Sequence, residues 1–126
     1  MSTTEEEVIV RRFLALWSER DADAMAALIA EDGIYDNVPQ NKPLLGREAT
    51  RKWLQMCFEH LTRIDVEVLN IATNGEWVLS ERVDTHVSDD RLMPLQVMGA
   101  CRIVDGKIQM WRDYYDVQTV VALGMV

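Results

Sequence analysis

The hydrophobic periodicity of the chain changes near residue 62, from the spacing of helices to the alternation of strands. Before this point, apolar residues recur at helical spacing in residues 4–20 and 46–61, and Asp21 or Asp23 can cap a short helix between them. Helices followed by a run of strands predict an α+β fold. Four segments with strand composition follow the helices: residues 63–72, 76–88, 95–104 and 107–117.

The strand segments are expected to form one sheet. Asp105-Gly106 is a favoured dipeptide for a two-residue hairpin, so the last two strands pair antiparallel. The stretch "GIYDNV", residues 33–38, predicts a further short strand. We expect one domain, residues 1–126, with three helices packed on a strongly curved mixed or antiparallel sheet, forming a cone with an internal pocket. Alternation in the first of the four strands predicts a shared face for Ile64, Val66, Val68 and Asn70.

Composition excludes several classes of protein. A chain of 126 residues with 48% apolar residues is long enough for one core and is not disordered. A net charge of −8 argues against binding nucleic acid or an acidic membrane surface. There is no apolar run of about 18 residues and no signal peptide, which predicts a cytoplasmic location. Cys57 and Cys101 lie in apolar patterns and are expected to be reduced core residues.

The stretch "WRDYYD", residues 111–116, puts a carboxylate where a strand should bury apolar groups. Asp113 shares a face with Trp111 and Tyr115 because side chains alternate along a strand. A regular two-residue hairpin would place Asp113 opposite Met98 and Trp111 opposite Ala100. Burying a carboxylate among such neighbours costs several kcal/mol unless it has partners. The sequence therefore predicts polar partners for Asp113 elsewhere in the chain.

Two other strand segments carry polar side chains at the spacing that shares a face. In "IYDNV", Tyr35 and Asn37 are two residues apart. In "SERVDTH", Arg82 and Asp84 have the same spacing, with Ser80 before them on the same face. We expect Arg82, Tyr35 and Asn37 to be the partners of the buried carboxylate.

Each of these pairs has a simpler interpretation. Arg82 and Asp84 could be an exposed ion pair of little energetic value. Tyr35 and Asn37 could support a turn, since Asn suits turns, and Asp113 could accept a backbone N–H at a strand end. His86, on the same face as Asp84, matches no strong metal-ligand spacing, and an exposed histidine at a strand end is the expectation there.

Taken together, these polar residues resemble the limonene-1,2-epoxide hydrolase family. The matching pieces are Tyr35-x-Asn37, Arg82-x-Asp84 within "SERVD", and Asp113 within "WRDYYD". The resemblance covers nearly the whole chain. It implies a small α+β cone that ketosteroid isomerase and SnoaL-like polyketide cyclases share, and isomerases of this fold do not carry the Arg-x-Asp pair.

The resemblance also implies a mechanism. Asp113 would be the general base, with Tyr35 and Asn37 helping it to hold a water molecule. Asp84 would be the general acid that protonates the epoxide oxygen, and Arg82 would orient both carboxylates. A lipophilic epoxide and water would give a vicinal diol in one step, without cofactor or metal, in a homodimer. We expect the substrate pocket to be lined by Trp111, Tyr115, Met98, Ala100 and Ser80.

Two alternatives from other functional classes stay open at this point. An isomerase or cyclase of the same fold could use Asp113 to remove a proton next to a carbonyl group. A non-catalytic protein could use the pocket to bind a lipophile, or could act as a dimeric domain. The apolar tail "VVALGMV", residues 120–126, could close one end of the pocket or join a dimer interface. An epoxide hydrolase of the α/β-hydrolase type is excluded by the short chain and the absence of a nucleophile elbow.

Overall fold

A computed structural model describes residues 3–124, in which four α-helices and one short 3₁₀ turn accompany six strands. The α+β class predicted from the sequence is confirmed. The elements in chain order are α1 (Glu5–Glu19), α2 (Ala22–Ala27), β1 (Ile29–Asn37), the 3₁₀ turn (Val38–Gln40), β2 (Leu44–Leu45), α3 (Arg47–His60), β3 (Arg63–Asn74), β4 (Trp77–Ser88), β5 (Arg91–Val104), β6 (Lys107–Tyr114) and α4 (Val117–Ala122).

The six strands form one mixed sheet in the order β2-β1-β6-β5-β4-β3, which does not close on itself. All neighbours are antiparallel except β1 and β6, which run parallel. The parallel pair brings the strand from the first half of the chain beside the last strand. Residues that are far apart in the sequence therefore share one face of the sheet.

The helices begin where polar side chains cap them. Thr4 Oγ1 accepts the backbone N–H of Glu7 at 3.1 Å, and α1 ends at Arg20 in the left-handed conformation. Asp21, rather than Asp23, caps α2, because its carboxylate accepts the N–H of Ala24 at 2.9 Å. No helix in residues 3–124 combines the length and hydropathy that a membrane crossing requires.

The last element in the described residues is a helix that the sequence pattern did not predict. The predicted strand over 107–117 stops at Tyr114, and Asp116 then caps α4 by accepting the N–H of Gln118 at 2.8 Å. The capping carboxylate ends the strand pairing, and Val120 of the new helix packs on Leu95 of β5. The tail is therefore partly helical up to residue 122, and residues 125 and 126 lie outside the described part.

An aromatic cluster joins α1 to the parallel strands. The ring of Phe13 lies 4.5 Å from that of Trp111 and 6.2 Å from that of Tyr35, measured between centroids. Tyr35 on β1 and Trp111 on β6 stack with a centroid distance of 6.0 Å and an interplanar angle of 3°. Because all three side chains are buried, this packing fixes the distance between the helix and the two strands.

The β5–β6 hairpin has the predicted turn but a different register. Asp105 and Gly106 both have positive φ, 50° and 74°, as the primed turn requires. Beyond the turn, Arg102 pairs with Met110 and not with Gln109, which is an extra residue that forms a bulge in β6. Every later pairing is shifted by one residue.

The shift changes the residues that lie opposite Asp113 and Trp111 on β5. Asp113 lies opposite Gly99, so the predicted pairing with Met98 is wrong. Trp111 lies opposite Cys101, so its predicted pairing with Ala100 is wrong for the same reason.

A second bulge corrects the predicted face of β3. Val68 pairs with Arg82 and Asn70 with Glu81, so Leu69 is the extra residue. Asn70 therefore lies on the exposed face, where its amide donates to the carboxylate of Glu81 at 2.7 Å. The prediction that Asn70 shares a face with Val68 is wrong.

Replacing Phe13 with alanine should lower the free energy of unfolding by about 3–5 kcal/mol, because it empties a fully buried aromatic site. Urea unfolding followed by circular dichroism measures this loss. Val8→Ala, on the exposed face of the same helix, is the control and should change stability by less than about 0.5 kcal/mol. Equal losses in the two variants would contradict the role given to the cluster.

Candidate active site

The register aligns residues of four neighbouring strands in one row across the sheet. Asn37 of β1 pairs with Asp113 of β6, and Asp113 pairs with Gly99 of β5. Gly99 in turn pairs with Ser80 of β4. The row explains how polar residues from distant parts of the sequence reach one site.

Arg82 is the centre of the polar network beside this row. Its Nε and Nη2 donate to the two carboxylate oxygens of Asp84, at 3.1 and 2.8 Å, in a two-pronged contact. Its Nη1 donates to Asp113 Oδ1 at 3.0 Å and to Ser80 Oγ at 3.1 Å. Only 1% of Arg82 is exposed. The interpretation of Arg82 and Asp84 as an exposed surface pair is therefore wrong.

The charge of Arg82 is secured by its two partners. Burial alone would lower the pKa of the guanidinium, but the adjacent carboxylates of Asp113 and Asp84 raise it above its usual value. Arg82 therefore stays a cation, and it donates but cannot take part as a base.

Asp113 is the most enclosed carboxylate of the network. Its second oxygen accepts the indole N–H of Trp111 at 2.9 Å, and 5% of the residue is exposed. Burial raises the pKa of Asp113, while the charge and hydrogen bond of Arg82 and the indole N–H oppose the rise, and the nearby charge of Asp84 adds to it. A carboxylate with a raised pKa is a stronger base than an exposed aspartate.

A cavity of about 1120 Å³ lies beside the network. Burial, followed by the charge of Asp113, raises the pKa of Tyr35 well above its usual value, so its hydroxyl keeps its proton. The cavity is lined by five of the residues predicted for the site: Tyr35, Asn37, Asp84, Asp113 and Tyr115.

The other five predicted site residues do not line this cavity. Arg82, Ser80 and Trp111 are each 1% exposed, and Arg82 and Trp111 donate hydrogen bonds to the carboxylates that line the cavity. Met98 and Ala100 belong to the opposite face of β5, where Met98 is 51% exposed. Their prediction as pocket residues is wrong because the bulge in β6 moved the register by one residue.

His86 was expected to be exposed, and this prediction is wrong. It is half-buried at the cavity, with Nδ1 at 3.3 Å from the carbonyl oxygen of Asp84, and burial lowers the pKa of the imidazole. Two other residues of the site region were missed in the sequence. Gln40 lines the cavity and donates its amide to the Tyr115 hydroxyl at 2.7 Å. Gly99 has no side chain to attract notice, but a glycine inside a strand pattern signals a close approach.

The arrangement provides two carboxyl groups that can exchange protons with a neutral substrate in the cavity. Asp113 and Asp84 reach the cavity from two different strands, and one buried cation fixes the position of both. The charge of Asp84 adds to the rise that burial causes in the pKa of Asp113, and the Arg82 cation between the two carboxylates opposes that rise. Among residues 3–124, no group of three or more His, Cys, Asp or Glu side chains has the geometry of a metal site.

Comparison with known proteins finds a family and a shared fold. Residues 4–125 match the model of the limonene-1,2-epoxide hydrolase catalytic domain. The chain is 30% identical over 108 residues to epoxide hydrolase EphG of Mycobacterium tuberculosis, covering 86% of this chain and 71% of that protein. The solved structure of an M. tuberculosis LEH-like epoxide hydrolase is similar, with a TM-score of 0.86, 29% identity and coverage of 96% and 90% of the two chains.

A putative SnoaL-like polyketide cyclase from Shewanella putrefaciens shares the fold alone. Its TM-score is 0.87, its identity is 12%, and the match covers 99% of this chain and 89% of that chain.

Replacing Trp111 with phenylalanine should raise the pKa of Asp113 further, because the indole N–H that stabilises the ionised carboxylate is lost. Carbon-13 NMR of labelled aspartate carboxyls measures this pKa, with the Asp113→Asn spectrum giving the assignment. Trp17→Phe, a core substitution on α1, is the control and should leave the pKa of Asp113 unchanged. A pKa that stays constant or falls in Trp111→Phe would contradict the role of the indole.

Proposed function

Because the chain belongs to the limonene-1,2-epoxide hydrolase family and is an epoxide hydrolase, we propose that it converts a lipophilic epoxide to a vicinal diol by one-step attack of water. The substrate would be limonene-1,2-epoxide or another cyclic or alkyl epoxide. The enzyme would act as a single domain, residues 1–126. We also propose a cytoplasmic location, in which the two free thiols of Cys57 and Cys101 would stay reduced.

The observation that carries the proposal is the position of Arg82 between two carboxylates. Its guanidinium bonds Asp84 and Asp113 at once, and both carboxylates reach the same cavity. Opening an epoxide with water requires a better nucleophile and a better leaving group in the same step. A base and an acid held by one cation supply both.

Asp113 would be the base. Its raised pKa strengthens it, and its carboxylate is held by Arg82 and Trp111. Tyr35 and Asn37 line the cavity, and Asn37 pairs with Asp113 across the two parallel strands. Both side chains line the same cavity as the Asp113 carboxylate, which supports a role for them in holding the water molecule that Asp113 deprotonates.

Asp84 would be the acid. In the proposed step, the water oxygen bonds to one epoxide carbon while the C–O bond at that carbon breaks. Asp113 takes a proton from the water, and Asp84 gives its proton to the departing oxygen, so the product is a neutral diol. Asp113 then loses its new proton and Asp84 regains one, both by exchange with solvent, and Arg82 remains charged throughout.

The cavity favours a substrate that is mostly hydrocarbon. Leu95 and Val97 of β5 line it, together with Trp53 of α3 and Ile64 of β3. Apolar walls exclude water and strengthen the hydrogen bonds of the carboxylates. The isomerase or cyclase alternative is not favoured, because the cyclase-like neighbour shares only the fold and the related proteins are epoxide hydrolases.

We further propose a homodimer, which the family resemblance implies. The outer-face patch of the sheet consists of Leu79, Met98, Ala100 and Tyr114, in which Leu79 pairs with Ala100 and Met98 with Tyr114. Leu79, Met98 and Tyr114 are 44–51% exposed. A second copy of the chain would remove these apolar side chains from water.

In a test of catalysis, Asp113→Asn and Asp84→Asn should each lower the rate of diol formation at least about a hundredfold, because each lacks one proton-transfer group. Limonene-1,2-epoxide, cyclohexene oxide, styrene oxide and a fatty epoxide form the substrate panel, with product measured by gas chromatography. Asp65→Asn is the matched control, because Asp65 bonds Arg63 two residues away on the exposed surface. Its activity should equal that of the wild type.

Wild-type activity in either catalytic variant would contradict the acid–base pair. No diol from any of the four epoxides, together with activity in an enolisation assay, would favour the isomerase alternative. Lipophile binding without turnover, with similar affinity in wild type and Asp113→Asn, would favour the binding protein.

In a test of assembly, Met98→Glu should convert a dimer to a monomer, because a carboxylate in an apolar interface is costly. Analytical ultracentrifugation measures the mass. Leu45→Glu, at an exposed apolar residue of the edge strand β2, is the control and should leave the dimer intact. A monomeric wild type, or a dimeric Met98→Glu variant, would exclude the outer-face patch as the interface.

A further inference from the structure

The hydrogen bond between Arg82 and Asp113 spans an intervening strand on which neither residue lies. Arg82 lies on β4 and Asp113 on β6, and β5 runs between these strands. Adjacent strands are about 4.8 Å apart, so the backbones of β4 and β6 are separated by roughly 10 Å. The guanidinium of Arg82 must therefore pass over the inner face of β5 to reach the carboxylate.

Gly99 is the residue of β5 at the point of this crossing. It pairs with Ser80 on one side and with Asp113 on the other. A Cβ atom on Gly99 would lie 2.5 Å from Arg82 Nη1, 3.0 Å from Asp113 Oδ1 and 3.0 Å from Ser80 Oγ. These are the atoms that form the hydrogen bonds from Nη1, so a methyl group there would occupy the place of the bridge.

The backbone does not require glycine at this position. Gly99 is inside β5 and is absent from the residues with positive φ in the described part of the chain. Glycine in a strand interior weakens the strand, because it contributes no packing and costs conformational entropy. Its place in a central strand of the sheet calls for a steric reason, and the approach of Nη1 provides one.

We propose that Gly99 is a positioning residue of the epoxide hydrolase site, whose missing side chain allows the Arg82 guanidinium to reach Asp113. Nη1 is the end of a flexible side chain, so a methyl group at residue 99 would displace the guanidinium and leave the strand in place. The bond to Asp84, on the same strand as Arg82, would survive this displacement better than the bond to Asp113. The effect on catalysis rests on the proposed function, whereas the effect on the Asp113 carboxyl does not.

The test is Gly99→Ala, examined by two independent measurements. Diol formation should show a kcat reduced by about a hundredfold with a much smaller change in KM, since misplacement by about 1 Å has an effect of that order. Carbon-13 NMR should show a raised pKa of the Asp113 carboxyl, because the displaced Arg82 no longer stabilises its ionised form. If the wild type forms no diol, the NMR measurement still decides the role of Gly99.

Repeating the Gly99→Ala substitution in an Arg82→Lys variant distinguishes a positioning role of Gly99 from a general structural role. In Arg82→Lys, which lacks Nη1, adding Gly99→Ala should change kcat by less than about threefold and should leave the pKa of Asp113 nearly constant. If Gly99→Ala alone does not fold but the double variant does, the collision with Arg82 is supported. The proposal is overturned if Gly99→Ala matches the wild type in both measurements, if its effect is equally large in the Arg82→Lys background, or if neither variant folds.

Discussion

The hydrogen bonds of the Arg82 guanidinium to Asp84 and Asp113 are the interaction on which the geometry of the site depends. Arg82 is 1% exposed, and its bonds to Asp84 and Asp113 balance a charge that burial would otherwise disfavour. Breaking a buried ion pair by removing one partner costs about 3–5 kcal/mol, because the other charge is left unpaired. The three groups are therefore stable only as a set. This mutual requirement keeps two carboxylates close to each other beside an apolar cavity.

The residues of the site are positioned by a bulge in β6, by the parallel pairing of β1 with β6 and by the packing of α1 on Trp111. The extra residue Gln109 shifts β6, so that Asp113 meets Gly99 and not a side chain of β5. The parallel pairing of β1 with β6 brings Asn37 beside the same carboxylate. Phe13 of α1 packs on Trp111, whose indole holds the second oxygen of Asp113. Local backbone geometry therefore determines the electrostatics of the site.

The sequence predicted the parts of this site that depend on local order. Alternation along a strand correctly gave Arg82 and Asp84 one face, and the turn residues correctly predicted the β5–β6 hairpin. Alternation does not reveal a bulge, so the cross-strand neighbour of Asp113 and the outward face of Asn70 were predicted wrongly. The parallel β1–β6 contact depends on packing between distant segments, and no local pattern encodes it. The family resemblance did group polar residues of β1, β4 and β6 into one site, although these strands are far apart in the sequence.

In the proposed mechanism, a water molecule activated by Asp113 attacks the epoxide directly. A single turnover with enzyme in excess over epoxide, in water enriched in oxygen-18, tests this claim by mass spectrometry of the diol. Direct attack predicts that the new oxygen of the diol from this first turnover carries oxygen-18 at the enrichment of the water. An unlabelled diol would contradict the account, because its new oxygen would then come from a carboxylate of the protein through a covalent ester.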